Sequence, residues 1–588
     1  MVLLLRSCLF VQAINLTDSN STLEAALTLS EYSQRKAWPY LSQSRAIGIR
    51  TQRDISANIS VGYNIAPGVD LTSVVFEPFG YNTTSLDIFT SLLQVGVQSY
   101  VLDLYYNENS KNWLLCSKDK ILSQQLNILR NSSTSNECLS GAFGIQQLID
   151  QLNTFILATN NDLNVNFVFL LLKLNSFSLN TNVTVSSSLT TSNVQSLTSV
   201  FQGINSLVPP YSINTEDLPT IHTLLFKQRM RVFPIIIEDN LPTNSTYNLV
   251  NDNLILFGSS TLSDLLNSQI YDNFDILNLR YDSLEDLNCE MADVFPNSSY
   301  FSFSYDTFNN SYSLRTFVET IRCGYSPILN HRFNNIEDIS KFLEVSLWSW
   351  SPFQPTVTGL DQTLYPNLLQ NSNIDNILDY YDNMNFTIGN QDIYMKNNTN
   401  NESSHIPDPN DNDGGDNDNE GYLDRCAVVT RLGWISTACD KKLHPICQNN
   451  ENTLSYYVLE DTINFVKANI ACKNYNSKYT LASPRTVFEQ NNLISFLNDS
   501  SHYYWINLNS LSTENCWVVG LNSNCPYQKV VSRHIFIQMI TPASIMTFLL
   551  GVLLIYLQLR GLPVHKNRRY WKKLLNEKLK NDYNGIPS

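Results

Sequence analysis

Residues 165–175 read VNFVFLLLKLN. From Phe167 to Leu172 no polar residue interrupts the run. A strand with one wet face alternates polar and apolar residues. An unbroken apolar run is what a parallel strand buried on both faces requires. Just upstream, IQQLIDQLNTFILAT (145–159) has its apolar residues at helical spacing, and before it SYVLDLYYN (99–107) reads as another strand. Downstream, LPTIHTLLFKQRM (218–230) reads as helix and VFPIIIED (232–239) as strand. FVETIRCGYSPILN (317–330) and IEDISKFLEVSLWSWSP (336–352) continue the alternation, and AIGIR (46–50) reads as a strand that opens it. Strand and helix alternating over roughly 300 residues predict an α/β fold with a parallel sheet, and a barrel spanning 45–352 suits that length.

The charge of the chain is unevenly placed. Its 588 residues carry 38 basic and 53 acidic side chains, a net charge of −15, with 43% hydrophobic and 15% charged residues. That balance excludes a disordered polyelectrolyte, and an acidic chain lacks the footprint of a nucleic-acid binder. Residues 560–588 hold Arg560, Lys566, Arg568, Arg569, Lys572, Lys573, Lys578 and Lys580 against Glu577 and Asp582, a net of +6, which leaves −21 for the rest. Between the two blocks, Ile535 to Leu559 run 25 residues without a charge. At 1.5 Å rise per residue this is long enough for a transmembrane helix (535–559), and Pro542 is tolerated in one. Basic residues stay on the cytoplasmic side. Residues 560–588 are therefore expected as a cytoplasmic tail, on a single-pass type I chain with the N-terminal part lumenal or extracellular. The opening MVLLLRSCLFVQA (1–13) reads as a signal peptide ending at Ala13. Residues 14–44 read as a polar, loosely ordered segment.

Setting aside Cys8, ten cysteines remain, all on the predicted lumenal side: Cys116, Cys138, Cys289, Cys323, Cys426, Cys439, Cys447, Cys472, Cys516 and Cys525. An even number in an oxidising compartment implies disulfides. None is in CxxC spacing, so no zinc site and no other cofactor is expected. The same part carries N-x-[ST] glycosylation sequons at Asn15, Asn20, Asn58, Asn82, Asn131, Asn182, Asn244, Asn297, Asn309, Asn385, Asn397, Asn401 and Asn498. Residues 353–425 read as a loop and acidic linker. Within it, Asp411, Asp413, Gly414 and Glu420 match offsets of a calcium loop, but Pro409 holds the first ligand position and rules it out.

The segment order of the barrel resembles the phosphatidylinositol-phospholipase-C-like phosphodiesterases, on VLDLYYNENSKNWLLC, FVFLLLKLN, LPTIHTLLFKQRMRVFPIIIED and SLWSWSPFQP. The resemblance implies a TIM-barrel-like domain with two catalytic histidines, one after the first strand and one in a Cys-His pair after the second. Imidazole suits such acid–base work because its pKa lies near working pH. Here RTQRDISANIS, taken for the first position, has no histidine, and Ser117 follows Cys116 at the second. Asp103 stands where the family keeps an acid in the second strand. The seven histidines (His222, His331, His405, His444, His502, His534 and His565) match neither site. A barrel without enzymatic activity is expected. The alternative is a membrane-anchored phosphodiesterase-like enzyme acting on a lipid or glycan phosphodiester, built around Asp103, Arg50 and Arg53.

Residues 426–530 form a cysteine-rich region that resembles C-type lectin-like α+β domains in two pieces. RCAVVTRLGWISTACDKKLHPICQ resembles the C-terminal half, while NFVKANIACKNYNSKYTLASPRTVFEQNNLISFL with YYWINLNS resembles the N-terminal half. The order is reversed, leaving two degenerate copies or one permuted copy as alternatives. Gln354-Pro355-Thr356 and Gly433-Trp434-Ile435 lack the carboxylates of the sugar-binding members' calcium site. The expected disulfides are Cys116–Cys138, Cys289–Cys323, Cys426–Cys439, Cys447–Cys472 and Cys516–Cys525.

YYWINLNSLSTENCWVVGLNSNCPYQKVVSRHIFIQMITPASIMTF, with RTQRDISANIS, SLWSWSPFQP and the terminal NGIPS, closely resembles the fungal maintenance of telomere capping protein 6 family. The resemblance implies a type I membrane glycoprotein linked to telomere capping. The predicted topology separates 21 excess negative charges from chromatin by a membrane. No direct nucleic-acid contact is expected, and the basic tail faces anionic membrane lipid. The lumenal part is expected to bind a protein or glycan ligand as a scaffold.

Overall fold

The computed structural model describes residues 43–116, 144–178, 195–213, 218–243, 245–252, 254–259, 276–277, 279–286, 301–307, 309–333, 336–352, 354–355, 424–497, 502–527, 533–561 and 564–582. The signal-peptide segment, most of the 353–425 linker, and Cys138 and Cys289 lie outside the described residues.

The run that opened the sequence reading becomes β4 (Val168–Phe177), placed between β2 (Ser99–Asn107) and β5 (Val232–Asn240), parallel to both. β1 (Gly68–Asp70) follows β2, then β10 (Ser326–Leu329), β9 (Phe301–Tyr305) and β8 (Leu279–Ser283), giving the order β5-β4-β2-β1-β10-β9-β8. All these neighbours are parallel, and β3 (Asn112–Leu115) adds an antiparallel hairpin to β2. On the remaining side, pairing among the described residues is slight. β6 (Gly258–Ser259) and β7 (Ile276–Leu277) pair over two residues, and one bridge, Ile235 to Phe257, ties β5 to them. The domain is therefore a partial barrel.

Alternation along each strand feeds two apolar layers. Val101, Phe169, Leu171, Phe233, Ile235, Phe303 and Ile328 form one buried cluster inside the sheet's curve. Leu102, Leu170, Leu172, Ile236 and Leu329 belong to a second cluster. They pack there with Phe89 of α2 (Thr83–Gln94) and Leu148 of α3 (Ile145–Ala158). Both faces are apolar, so the run has no polar alternation. Thr198 of the short α4 (Leu197–Phe201) is held by Asp252. Phe317 of α5 (Leu314–Arg322) and Ile339 of α6 (Ile339–Glu344) continue the outer layer.

Two local expectations fail. AIGIR is not a strand: it lies inside the helix α1 (Gln43–Ile55). Its buried residues, Ser44, Arg45, Ile47, Gly48 and Thr51, recur at helical spacing, but several are polar, so an apolar count misses the period. Arg45 is satisfied by Ser346 Oγ at 2.8 Å and the Val95 carbonyl at 3.4 Å. LPTIHTLLFKQRM is not a regular helix either; it holds a π-helical turn, Thr223–Gln228, stopped by Arg229 in a left-handed conformation (φ 58°).

In the cysteine-rich region, β11 (Cys426–Thr430) pairs with β12 (Gly433–Thr437), and the sheet order is β12-β11-β16-β13-β14. Here β13 is His444–Asn449, β14 Tyr456–Val458 and β16 Tyr504–Asn509. β15 (Tyr479–Leu481) joins β13, and β17 (Val518–Val519) joins β16. Two helices, α7 (Phe465–Tyr475) and α8 (Val487–Leu497), accompany the sheet. β16 from the second lectin-resembling piece pairs with β11 and β13 from the first. The two pieces thus form one module rather than two copies. Its disulfides are Cys426–Cys439, Cys447–Cys472 and Cys516–Cys525, as expected. Cys116 and Cys323 are also disulfide-bonded.

Barrel and module share one core. Trp348 and Trp350 pack edge-on against Trp434 of β12, each with ring centroids 5.7 Å apart, and Trp350 also packs on Trp517 at 4.9 Å. The backbones join as well, Trp434 N donating to Ser349 O at 2.8 Å and Ser351 N to Trp434 O at 3.0 Å. Gly433 permits this approach: a Cβ there would lie 2.8–2.9 Å from Ser351 N and Ser349 O, and its φ is +132°. The chain through Cys525 is one compact unit.

The second unit contains α9 (Arg533–Gly561), with Pro542 inside it, and α10 (Val564–Asp582), which carries the basic tail. Among the described residues, no helix is long and apolar enough to cross a membrane. The described side chains of α9 begin at Thr541 and cover only part of its uncharged run.

Candidate functional site at the C-terminal ends of the strands

Inward-facing positions of several strands bring polar side chains together, Asp70 at the end of β1 and Asp103, Lys173 and Tyr281 further along β2, β4 and β8. β1 ends on Asp70, whose Oδ1 accepts the amides of Thr72 (2.9 Å) and Ser73 (3.2 Å) as the chain turns away. Asp103 on β2 stands in register with Lys173 on β4, and Lys173 in register with Glu238 on β5. That last pairing depends on a bulge: Leu172 faces Ile236 but Lys173 faces Glu238, so Ile237 is skipped. Bulges beside functional sites re-aim side chains in this way. Lys173 Nζ lies 3.3 Å from Asp70 Oδ2 and 5.9 Å from the ring centre of Tyr281 on β8. Tyr281 in turn stacks on Tyr305 of β9 at 4.6 Å. Phe169, Phe233, Phe301 and Phe303 form an aromatic floor beneath.

The electrostatics are those of a crowded, poorly hydrated acid cluster. Burial and the neighbouring Asp70 push the Asp103 carboxyl up to about 7, against the pull of Lys173. Burial works against the charge on Lys173, but Asp70, Tyr281 and Asp103 outweigh it and hold its pKa above the usual lysine value. Burial also raises the Tyr281 hydroxyl. Asp103 Oδ1 and the Tyr281 hydroxyl are buried with no hydrogen-bond partner. A group that can hold or release a proton near neutrality, beside a fixed cation at the C-terminal end of a barrel, is chemically a candidate acid–base or ligand-binding centre.

The sequence singled out Asp103, and the structure places it in this layer. Arg50 and Arg53 do not join it. They sit on α1 at the opposite end of the strands, where Arg53 donates to the carbonyls of Asp162 and Leu163 ahead of β4, and Arg50 to Asn515 O. RTQRDISANIS therefore precedes the first strand, whose last residue is Asp70. Asp70, Lys173, Glu238 and Tyr281 were not foreseen: Lys173 and Glu238 lie in runs read only as strand, and Asp70 and Tyr281 lie in stretches given no reading of their own. Nor was the pairing of His331 Nδ1 with Asp306, which the ends of β10 and β9 bring together across 25 positions of sequence. Asp306 also accepts the amides of Asn330 and Tyr312, and His331 packs on Phe333 with ring centroids 4.1 Å apart. This carboxylate clamps a turn beside the cluster, and Ser73 Oγ, 2.6 Å from Asn330 Oδ1, links the two. His222 packs on Phe226 at 5.6 Å, a packing role.

The positions compared with a lectin calcium site are spent on packing. Gln354 Oε1 accepts from Ser436 N and Oγ, and Trp434 Nε1 donates to Gln490 Oε1. Among the sequons, Asn58, Asn82 and Asn309 are exposed; the other ten lie outside the described residues. Asn82 is also the N-cap of α2, its Oδ1 accepting Ser85 N.

Known proteins agree with this architecture. A family model described as the MTC6 partial TIM-barrel domain matches residues 39–349. Relatives named "Maintenance of telomere capping protein 6" include one from Komagataella phaffii, 26% identical over 579 residues, which cover 94% of this chain and 97% of that one. Another, from Lachancea thermotolerans, is 25% identical and covers 96% and 98% of the two chains. A third, from Saccharomyces cerevisiae, is 24% identical and covers 97% of each. A solved phosphatidylinositol-specific phospholipase C from Staphylococcus aureus, an F249X mutant, aligns with 49% of this chain and 94% of that one, at 9% identity and a TM-score of 0.25. That score is too low to carry an argument, whereas the family model spans the partial barrel from α1 to Trp348. The chain belongs to the maintenance of telomere capping 6 family.

Proposed function

We propose that the chain is a membrane-anchored, non-catalytic lumenal binding scaffold, which influences telomere capping indirectly, as the names of its relatives suggest. The carrying observation is that β1 ends on Asp70 with no histidine at its end or directly after it, and that Asp70 lies in a group with Asp103 and Glu238 around Lys173. An anionic phosphodiester would bring a further negative charge beside Asp70 and Asp103, at a cost of about 3 kcal/mol for each like charge, taking a separation of ~5 Å and an effective dielectric of ~20. A neutral, hydroxyl-bearing ligand meets no such penalty, and the unpartnered Asp103 Oδ1 and Tyr281 hydroxyl offer it an acceptor and a donor. A glycan or a protein side-chain hydroxyl fits that description.

The anchor in this reading is α9, with 25 uncharged residues from Ile535 to Leu559 and the basic α10 on the cytoplasmic side. The signal peptide, the glycosylated sequons and tail contact with anionic lipid belong to the same proposal. Protease protection with a glycosidase shift tests it. Sealed microsomes are expected to shield residues before 535 and to leave the tail cleavable. A glycan-free ectodomain digested in intact vesicles would refute it.

A second reading rests on the raised Asp103 pKa. A carboxyl that titrates near 7 suits a general acid or base acting on a neutral substrate. Asp103→Asn abolishing a measured turnover while the fold persists would favour this reading.

A further inference from the structure

The seam between barrel and module encloses a second site, at the end of the barrel opposite the acid cluster. A partly open void is lined by side chains including Ile321, Leu347, Trp348, Leu432, Val487 and Ile494. Residues with side-chain hydrogen-bond donors also line it, among them Trp350, Gln490, Asn491 and Arg322. Trp350 and Gln490 are each 2% exposed, yet Trp350 Nε1 and Gln490 Nε2 have no hydrogen-bond partner. The orientation of the Gln490 amide is fixed, because its Oε1 accepts the indole proton of Trp434 at 2.8 Å. Its nitrogen is left to donate. Arg322 Nη2 donates to Arg431 O at 3.2 Å, which leaves other guanidinium protons available. Burial lowers the Arg322 pKa, a sign of a cation short of solvation, with Glu319 only partly offsetting it.

The lining holds no carboxylate. Leaving a buried donor unmade costs about 1–3 kcal/mol, so two in one void call for an occupant. A water molecule could accept from both, but its own two protons would then need acceptors. The glutamine oxygen is already spent, the Asn491 amide is the remaining side-chain acceptor in the lining, and most of the wall is hydrocarbon. What fits converging donors on an apolar wall is a group that only accepts, carries negative charge and continues into hydrocarbon.

We propose that the seam pocket binds an anionic amphiphile, its carboxylate or phosphate head held by Trp350, Gln490 and Arg322 and its chain lying along the apolar wall. This site is independent of the acid cluster, which has the opposite electrostatic preference. Because the ligand touches both barrel and module, its binding couples the two.

The experiment uses the full chain in phosphatidylcholine nanodiscs, with uptake counted against empty nanodiscs. The probes are decanoate and decyl phosphate, with decanol and decyltrimethylammonium as neutral and cationic controls. The expected result is saturable binding of at least one anion, about tenfold or more tighter than either control. The better of the two anions identifies the head. Gln490→Glu keeps the acceptor for Trp434 but replaces the donor with a charge; it is expected to weaken anion binding more than tenfold and leave decanol unchanged. Trp350→Phe keeps an aromatic ring in place without the N–H and is expected to weaken anion binding several-fold. No saturable uptake by the native chain, equal binding of decanol and decanoate, or anion binding indifferent to both substitutions would each overturn the proposal.

Discussion

Lys173 on β4 reaches across β2 to place its ammonium 3.3 Å from the buried carboxylate of Asp70 on β1, so one cation spans three strand ends. Asp103 lies on the intervening strand, in register with Lys173. Lys173 thus faces Asp70, Asp103 and Glu238 at the acid-rich end of the barrel.

Removing that charge leaves Asp70 buried and uncompensated. Lys173→Met is expected to destabilise the chain by about 3–5 kcal/mol. The double variant Asp70→Asn/Lys173→Met is expected to recover much of the loss. Urea unfolding of the two single variants and the double variant checks this as a double-mutant cycle. Additive losses would show that the pair does not interact.

Asp103 makes stability pH-dependent. Its pKa is higher in the folded chain than unfolded, so the native state holds the proton more tightly. Stability therefore falls as pH rises from about 4 to about 7, and this contribution levels off above that. Asp103→Asn removes the penalty and is expected to raise the unfolding free energy at pH 8 by roughly 2 kcal/mol after allowance for coupling to Lys173. The gain should shrink towards pH 4, and a gain independent of pH would contradict the assignment.

At the seam, Gly433→Ala places a methyl group against the backbone of Ser349 and Ser351 and strains a φ of +132°. The expected cost is about 2–4 kcal/mol. It should be accompanied by a red shift in tryptophan emission as Trp348, Trp350 and Trp434 gain water. A loss of stability with unchanged emission would place the strain elsewhere.

Asn82 serves both as sequon and as helix cap. Asn82→Asp keeps the cap without the acceptor amide, while Asn82→Ala loses both. If the site is glycosylated, both variants lose the same electrophoretic shift, and only Asn82→Ala should lose about 1 kcal/mol of stability. Equal stability of the two variants would show that the cap is unimportant.

The barrel was legible because its strands are buried on both faces, so 165–175 carries no competing polar signal. The three disulfides of the module were legible too, since each pair consists of neighbouring cysteines in sequence. α1 was missed because its buried face includes Arg45 and Thr51, which satisfy themselves through Ser346 and the Ile47 carbonyl. The site was legible at Asp103 alone. Lys173 was hidden at the end of an apolar run, and Glu238 faces it only because a bulge skips Ile237. Arg50 and Arg53 were assigned to the wrong end, since the reading placed the first strand some twenty residues too early. The shared core was invisible: Trp348 and Trp350 are separated from Trp434 by a long polar linker, and nothing local says that they touch.

The central claim is that this barrel binds without cleaving phosphodiesters. The most direct measurement is turnover of phosphatidylinositol and glycosyl-phosphatidylinositol substrates by the purified full chain between pH 5 and pH 8. The account predicts no release above a substrate blank, with the Asp103→Asn chain indistinguishable from the native one. Saturable release by the native chain that disappears in Asp103→Asn would contradict it.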